Sequence, residues 1–242
     1  MGIHERKQKQ FAEREQQFLA AACEQICRDG LLGLQMARVA RACDYATGTL
    51  YQHFSSKEDL LVAICNELVA KRVDVFFRAG DWQAPSRDRM LAVAVGDMLF
   101  ARRHPEHFRV TQYVLTEVVW QAASASRRRQ LLATSQPMGE SVARIIADAV
   151  AAGDVDARGR PLLELALGQW TMTWGTHNLV HAEGMLELYN LRDPYRLMLR
   201  HLNALLNGLG WQPLFDPFAD AALEQQISRI SSVVFADLCP TS

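Results

Sequence analysis

The sequence has no long hydrophobic run, and this lack excludes a simple membrane-spanning protein. No stretch of about 18 residues is both apolar and free of charge, so no transmembrane helix is expected. The N-terminus, MGIHERKQKQFAEREQQ, also lacks the apolar segment of a secretory signal peptide. We therefore expect a cytoplasmic protein.

The motifs of common enzyme classes are missing as well. The chain contains no nucleophile elbow, no His-Glu-x-x-His helix, no phosphate-binding loop and no glycine-rich dinucleotide turn. Its five cysteines include no C-x-x-C pair, and free cysteines commonly pack as small apolar residues. His177 and His181 are four residues apart, but no third metal ligand is evident. We expect no catalytic residue, no metal and no cofactor. An all-helical enzyme or carrier remains the alternative.

The sequence also lacks an excess of positive charge. The chain has 26 Lys and Arg against 27 Asp and Glu, and residues 1–60 hold eight of each sign. Nucleic-acid-binding domains usually show a basic excess, so the charge argues mildly against such a function. Arg6, Lys7 and Lys9 crowd the N-terminus. One hypothesis is that this basic arm contacts phosphates, and the other is an ordinary disordered terminus.

Residues 35–61 carry the most informative pattern in the chain. Apolar residues at helical spacing predict a first short helix: Met36, Val39 and Ala40. After a break at residues 44–45, a second short helix is predicted over 47–54. Ser55 or Ser56 can cap a third. Two short helices joined by a tight turn are the arrangement that places the second helix in a DNA major groove.

The outward face of the second helix has the chemistry to contact DNA. Its hydrogen-bonding groups stand on short or rigid side chains, which suit phosphates and base edges. Gly48 would allow close approach of the backbone. The candidates are Thr47, Gly48, Thr49, Tyr51, Gln52, His53 and Lys57. The alternative is an ordinary solvent-exposed helix face beside a capped helix.

Residues 18–61 resemble the DNA-binding domain of the TetR family of transcriptional regulators. The order and spacing of the following groups carry the resemblance: Ala21-Ala22, Gly30, Val39-Ala40, the block Gly48-Thr49-Leu50-Tyr51-Gln52-His53-Phe54, and Lys57. It implies that this segment binds double-stranded DNA.

Three positions depart from the family pattern. The family usually has Gly where Asp44 stands, at a turn that often needs a positive φ, which Asp tolerates better than most residues. Ala46 replaces the usual Ser or Thr cap, so a bond worth ~1 kcal/mol is lost unless Thr47 caps instead. Gln35 replaces a Thr and can still reach a phosphate, so it joins the DNA-binding candidates.

The remaining pattern predicts helices only. Helices are expected from Lys57 to about Gly80, from Ser86 to His104, from Pro105 through Val119, from Pro161 to about Gly184, and from Pro194 to about Gly208. Pro137 is expected to end or kink a helix, and a last amphipathic helix follows Trp211. The predicted fold is all-α: a three-helix DNA-binding domain with a helix-turn-helix at residues 1–56, then a helical effector-binding and dimerisation domain at 57–242.

Two apolar stripes near the end of the chain suggest association. Either stripe alone could be the core of a single chain. The TetR resemblance implies that the two helices pair with their twins in a homodimer, which would present two recognition helices to a palindromic operator. The interface candidates are Leu163, Leu167, His181, Leu199, Leu202, Leu206 and Leu209.

A regulator of this type also needs an effector site. Mostly apolar cavities with few polar groups suit small hydrophobic or aromatic ligands. The candidates are Phe108, Gln112, Tyr113, Trp120, Met138, Trp170, Trp174 and His177. The alternative for each is packed core. The predicted function is a repressor released from its operator by a small, largely apolar effector, and a DNA-binding regulator without such an effector remains an alternative.

Overall fold

A computed structural model describes residues 2–239, and within these the regular structure is helical throughout, as predicted. The α-helices are α1 (Ile3–Asp29), α2 (Met36–Ala42), α3 (Thr47–Tyr51), α4 (Lys57–Asp81), α5 (Ser86–Arg103), α6 (Pro105–Val114), α7 (Glu117–Ala122), α8 (Ala125–Ala152), α9 (Leu162–Val180), α10 (Pro194–Gly208) and α11 (Asp220–Val234). Short 3₁₀ turns occupy Glu187–Tyr189 and Ala236–Leu238. Over the same described stretch, no helix is long and apolar enough to cross a membrane.

The chain packs as two compact units. The first unit comprises the chain up to Val69 together with Arg109–Thr134, and the second comprises Ala70–Phe108 together with the chain from Ser135 onward. Helices α4, α6 and α8 contribute residues to both units. This packing division differs from the expected boundary after residue 56. The boundary after residue 56 was expected to separate the DNA-binding function from effector binding and dimerisation, and it stays a prediction.

The first unit has a small core built by its four N-terminal helices. Phe18, Leu50, Phe54 and Leu60 are fully buried there. Apolar residues from α1, α3 and α4 therefore hold the short α3 in place, because a helix of five residues has too few internal hydrogen bonds to be stable alone.

The second unit is organised around α5, whose residues from Met90 to Ala101 are all buried. Buried side chains of α9, α10 and α11 belong to the same core. The expected last amphipathic helix is present as α11, and its Leu223 and Ile230 are fully buried. The C-terminal segment after residue 210 is therefore part of this core.

A buried arginine ties the C-terminal segment to α5. Arg87 donates hydrogen bonds to the side-chain oxygens of Asn203 (3.0 Å) and Asn207 (2.7 Å) and to the carbonyl of Trp211 (2.8 Å). The indole N–H of Trp211 donates to Ser86 Oγ at 2.8 Å. The Ser86 hydroxyl therefore binds the indole of Trp211 in the interior, and the N-cap of α5 is Pro85.

Several element predictions need correction. Pro137 does not end a helix, because it lies inside the continuous helix α8, and the expected kink stays a prediction. The helix starting at Pro105 ends at Val114, and α7 follows as a separate helix. The basic N-terminal residues Arg6, Lys7 and Lys9 are exposed, but they lie within α1 rather than on an extended arm.

Candidate nucleic-acid interface and effector region

The turn between α2 and α3 has the geometry that the sequence suggested. Asp44 adopts a left-handed backbone with φ of +59°, the conformation for which the related family uses glycine. The amide of Tyr45 donates to the carbonyl of Ala40 at 3.0 Å and closes the end of α2. Ala46 is the N-cap of α3 without any side-chain capping bond, and Thr47 is the first helical residue rather than the cap.

Seven of the eight predicted DNA-binding residues reach the surface. Gln35, Gly48, Tyr51 and Gln52 are exposed. The other three, Thr47, Thr49 and Lys57, are partly exposed. Tyr51 exposes 49% of its surface although it is a large aromatic residue. These seven residues are therefore accessible to a partner, and their role in DNA binding stays a prediction.

His53, the eighth predicted residue, was expected to face outward, and that prediction is wrong. Its ring stacks on Phe11 with centroids 3.8 Å apart and meets the edge of Phe18 at 5.4 Å. Burial lowers the pKa of His53, while Glu15, 3.6 Å from its Nδ1, acts in the opposite direction. His53 follows the last turn of α3, where the chain bends inward, so its side chain fills the core of the first unit.

Gly48 is not required by the fold. Its backbone is helical with no positive φ, and a Cβ built there meets no atom within 4 Å. A larger residue would fit, and alanine would favour the helix by about 1 kcal/mol. The missing side chain therefore leaves open space beside the backbone for a partner.

The sequence analysis missed an anchor for the recognition helix, Arg127 in the first turn of α8. Arg127 donates to the carbonyl of His53 at 3.1 Å and to Glu15 Oε1 at 2.9 Å, and its guanidinium lies 5.0 Å from the centroid of the Phe54 ring. These contacts hold the segment that follows α3 against α1 and α8. The run Arg127-Arg128-Arg129 looks from sequence like a solvated face, but only Arg129 is exposed.

Asp59 is the second anchor at the same place. Its side chain is 3% exposed and accepts hydrogen bonds from the Ser55 amide (3.2 Å), the Ser55 hydroxyl (2.5 Å) and the Ser124 amide (2.7 Å). Burial alone would raise the pKa of Asp59, but the hydrogen bonds from Ser55 and Ser124 lower it, so the carboxylate stays ionised. The Asp59 amide donates to Ser56 Oγ at 3.1 Å, which confirms one of the two expected caps of α4.

The predicted effector residues do not form a single group. Gln112, Tyr113 and Trp120 belong to the first unit. Phe108, Met138, Trp170, Trp174 and His177 belong to the second. Trp170 is 64% exposed, so it lies on the outer face of α9 and not with buried His177. Only part of the predicted set is therefore brought together.

Phe108 and His177 do meet, at a buried polar cluster in the second unit. Their ring centroids are 4.0 Å apart. The two ring nitrogens of His177 lie 3.0 Å from Tyr195 Oη and 3.3 Å from Asp97 Oδ2. Arg72 holds the same carboxylate with two hydrogen bonds of 2.5 Å. Asp97, Arg72 and Tyr195 carry no distinctive local pattern, and sequence reasoning did not find them.

The electrostatics of this cluster keep Asp97 ionised and Tyr195 neutral. Burial raises the pKa of Asp97, but Arg72 and His177 more than offset it and bring the pKa to about 2. Burial also raises the pKa of Tyr195 to about 12. A carboxylate–guanidinium pair is thus held beside the rings of Phe108 and His177 inside the second unit.

A surface cleft lies elsewhere in the same unit. This cleft of about 480 Å³ is lined by residues that include Trp82, Arg89, Arg144 and Asp148. None of these was predicted, and the charged lining fits a largely apolar ligand less well than the ring-lined cluster around His177.

The predicted dimer residues divide into two faces. Leu199, Leu202 and Leu206 of α10 are 0–1% exposed within the single chain, so they cannot be contact residues for a partner. That part of the prediction is wrong, because the stripe packs into the core of its own unit. Leu163 and Leu167 of α9 are about half exposed, at 49% and 50%. The remaining candidates, His181 and Leu209, are partly exposed.

Comparisons with known proteins address the same N-terminal segment. Residues 18–64 match the sequence model of a family described as bacterial regulatory proteins, tetR family. Over 66 residues the chain is 30% identical to the fatty acid metabolism regulator protein of Bacillus subtilis (strain 168), a match covering 27% of this chain. The matched segment spans 34% of that relative's length.

Solved structures resemble the chain over most of its length. A regulatory protein of the tetR family from Rhodococcus RHA1 has a TM-score of 0.60 at 20% identity, covering 82% of this chain and 98% of that one. FadR from Bacillus subtilis, solved in complex with stearoyl-CoA, has a TM-score of 0.57 at 18% identity, covering 80% and 96%. At these identities the likeness concerns the fold alone. The family and the named relatives are regulators rather than enzymes.

Proposed function

From the match of residues 18–64 to the tetR family, we propose that the chain is a DNA-binding transcriptional regulator of this family, a repressor released from its operator by a small, largely apolar effector. The observation that supports DNA binding best is the outer face of the helix-turn-helix. Tyr51 and Gln52 are exposed there, and the space where a side chain of Gly48 would begin is empty. Polar groups next to an unobstructed backbone suit phosphate and base-edge contacts. Such a regulator would act on DNA in the cytoplasm.

We propose that the effector binds in the second unit, near the cluster of Phe108, His177 and Tyr195. Aromatic rings would contact an apolar body, and His177 or Tyr195 would bind a single polar group. A structural relative is described in complex with stearoyl-CoA. Long-chain acyl compounds are therefore the first class to screen, followed by neutral aromatic compounds.

We propose a homodimer built on the exposed face of α9. Leu163, Leu167 and Trp170 lie four and then three residues apart, and each exposes about half or more of its surface. Apolar residues at helical spacing along one exposed face are typical of a helix that pairs with a partner. A two-fold dimer would match a palindromic operator, with one recognition helix for each half-site.

DNA binding is tested with the full chain and DNA from upstream of its own gene. Tyr51→Ala and Lys57→Ala are expected to weaken binding, measured by fluorescence anisotropy, while circular dichroism stays unchanged. Lys57→Ala should also reduce the slope of log affinity against log salt by about 1, because one fewer counterion is released. Equal affinity of both variants and the wild-type protein would remove this helix from the interface.

Effector binding is tested by thermal shift and by Trp fluorescence with the acyl and aromatic compounds. A true effector should lower operator affinity about 5–150-fold, the usual range for a coupling of ~1–3 kcal/mol. His177→Ala should weaken effector binding and leave ligand-free operator binding near the wild-type level. A compound that binds equally well with and without operator would contradict the release mechanism, and the chain would then be a regulator without that effector.

A further inference from the structure

We propose that His104, Glu106 and His107 form a binding site for a divalent transition metal of the zinc class at the junction of α5 and α6. One potential ligand atom from each of the three side chains lies within 4.8 Å of the other two. The sequence analysis predicted no metal site. The structure shows that the side chains of His104 and His107 lie close to each other and to the Glu106 carboxylate.

The local backbone brings the three side chains together. His104 follows the last residue of α5 with a non-helical backbone, φ −133° and ψ 60°. Pro105 then starts α6, where its missing N–H costs nothing, and places Glu106 and His107 in the first turn. The His107 amide donates to the His104 carbonyl at 3.0 Å, which fixes the turn. Three ligand-bearing residues thus occupy four consecutive positions around one sharp corner.

Packing limits the freedom of the two imidazoles. The rings of His104 and His107 stack with centroids 4.6 Å apart and planes 8° apart. Both rings also contact buried Phe100, at 4.9 Å and 5.9 Å between centroids. Glu106 Oε1 lies 3.4 Å from His107 Nε2. The ligands are therefore held close together before any ion arrives, which lowers the entropy cost of binding one.

The ligand set selects the ion. Two imidazole nitrogens and one carboxylate oxygen suit Zn²⁺, Cu²⁺ or Ni²⁺ better than Mg²⁺ or Ca²⁺. Bonds of about 2.0–2.1 Å to zinc place two ligand atoms no more than about 4 Å apart. The side chains would therefore have to move closer together on binding, and this would take the two rings out of their parallel stack. Three protein ligands leave a fourth position for water or an outside ligand.

The surrounding charges indicate a site of moderate rather than extreme affinity. The positive charges of Lys71 and Arg103 lie near the histidines and would oppose the binding of a metal cation. The Glu106 carboxylate is the group that compensates for them.

The site is tested by titrating zinc into the metal-free full chain in a calorimeter. We expect one saturable site per chain, and a higher melting temperature with zinc. His104→Ala and Glu106→Gln should each weaken binding at least about tenfold, which corresponds to ~1.4 kcal/mol. His201→Ala is the matched control, because His201 is exposed on α10 and away from this corner in sequence.

Cobalt distinguishes this site from a site built by cysteine thiolates, which the five cysteines of the chain could otherwise supply. The wild-type protein with Co²⁺ should show the absorption of nitrogen and oxygen ligands without a thiolate charge-transfer band. Metal-free variants must give the wild-type circular dichroism spectrum, which separates loss of a ligand from loss of fold. Absence of saturable binding, equal affinity in the ligand variants, or a thiolate band would each overturn the proposal.

Discussion

Gly48 lies in α3 with a helical backbone and open space where a side chain would begin. Five residues later, His53 is packed between Phe11 and Phe18. Both residues belong to the block that resembles the TetR family, but their surroundings suggest different functions. The glycine leaves room for a partner, while the histidine builds the core that supports the recognition helix.

The first prediction follows from Gly48. Gly48→Ala should raise the free energy of unfolding by up to about 1 kcal/mol, because alanine is the better helix former and meets no atom. Operator affinity should fall, because the new methyl group occupies the approach of the DNA. Chemical denaturation and anisotropy measure the two effects. Gly139→Ala, also a helical glycine with room for a methyl group, is the control that should leave operator binding unchanged.

Asp97 is a residue whose charge matters to stability. Its pKa is about 2 in the folded chain against an ordinary value of 3.8, although burial acts in the opposite direction. A lowered carboxyl pKa means that ionised Asp97 favours the folded state, so its contribution is fully present above about pH 4. The contribution should be lost as the pH falls from 3.8 towards 2.

The second prediction tests this dependence. Asp97→Asn should reduce the free energy of unfolding at pH 7 by about 2 kcal/mol or more, because the variant leaves Arg72 buried without its carboxylate. The difference between wild-type protein and variant should shrink as the pH falls below 4. Urea denaturation at several pH values provides the measurement. A difference that is the same at pH 3 and pH 7 would mean that the carboxylate charge is not the stabilising group.

At the scale of elements, the first turn of α8 supports the recognition helix. Arg127 reaches the carbonyl that follows α3, and the Ser124 amide binds the Asp59 carboxylate at the start of α4. The later part of the same helix belongs to the second unit. Helix α8 therefore offers a covalent route, in addition to α4 and α6, by which a change in the second unit can reach the DNA-binding face.

The third prediction concerns this anchor. Arg127→Ala removes hydrogen bonds of a charged donor, each worth ~1.5–3 kcal/mol, from the segment behind α3. Operator affinity should fall, and amide hydrogen exchange over residues 47–56 should become faster. Arg129→Ala is the matched control, since Arg129 is an exposed neighbour of the same charge. Exchange and affinity that are alike in the two variants would show that Arg127 does not position the helix.

At the scale of the whole molecule, association must use surfaces that a single chain leaves open. The apolar face of α10 is buried in the core of its own unit, to which α11 also contributes side chains. The outer face of α9 remains available, with Leu167 half exposed and Trp170 64% exposed. If the protein acts on a palindrome, this face is where we expect the two copies to meet.

The fourth prediction separates the two faces. Leu167→Asp combined with Trp170→Asp should give a folded monomer, because both changes are at exposed positions whose charges are desolvated only in a dimer. Leu202→Asp should instead unfold the second unit, since that side chain is fully buried within one chain. Sedimentation velocity and circular dichroism distinguish the results. A double variant that stays dimeric would place the interface elsewhere.

Local patterns were sufficient for much of this protein. The all-α class, the short helices around the turn, the positive φ at Asp44 and the Ser56 cap depend on residues within a few positions of one another. Helical spacing, turn geometry and capping are short-range effects, so they can be read from consecutive residues. Seven of the eight predicted DNA-binding residues are accessible, and their role in DNA binding stays a prediction.

Tertiary structure decided the rest, because an apolar stripe has the same pattern whether it packs in a core or against a partner. Only the packing shows that Leu202 is internal and Leu167 external. Contacts between distant residues are equally hidden from sequence, as with Arg127 and Glu15, which are 112 positions apart. His53 shows the same limit at the residue scale. Its side chain became core because Phe11 and Phe18 of α1, which are distant in sequence, pack against it.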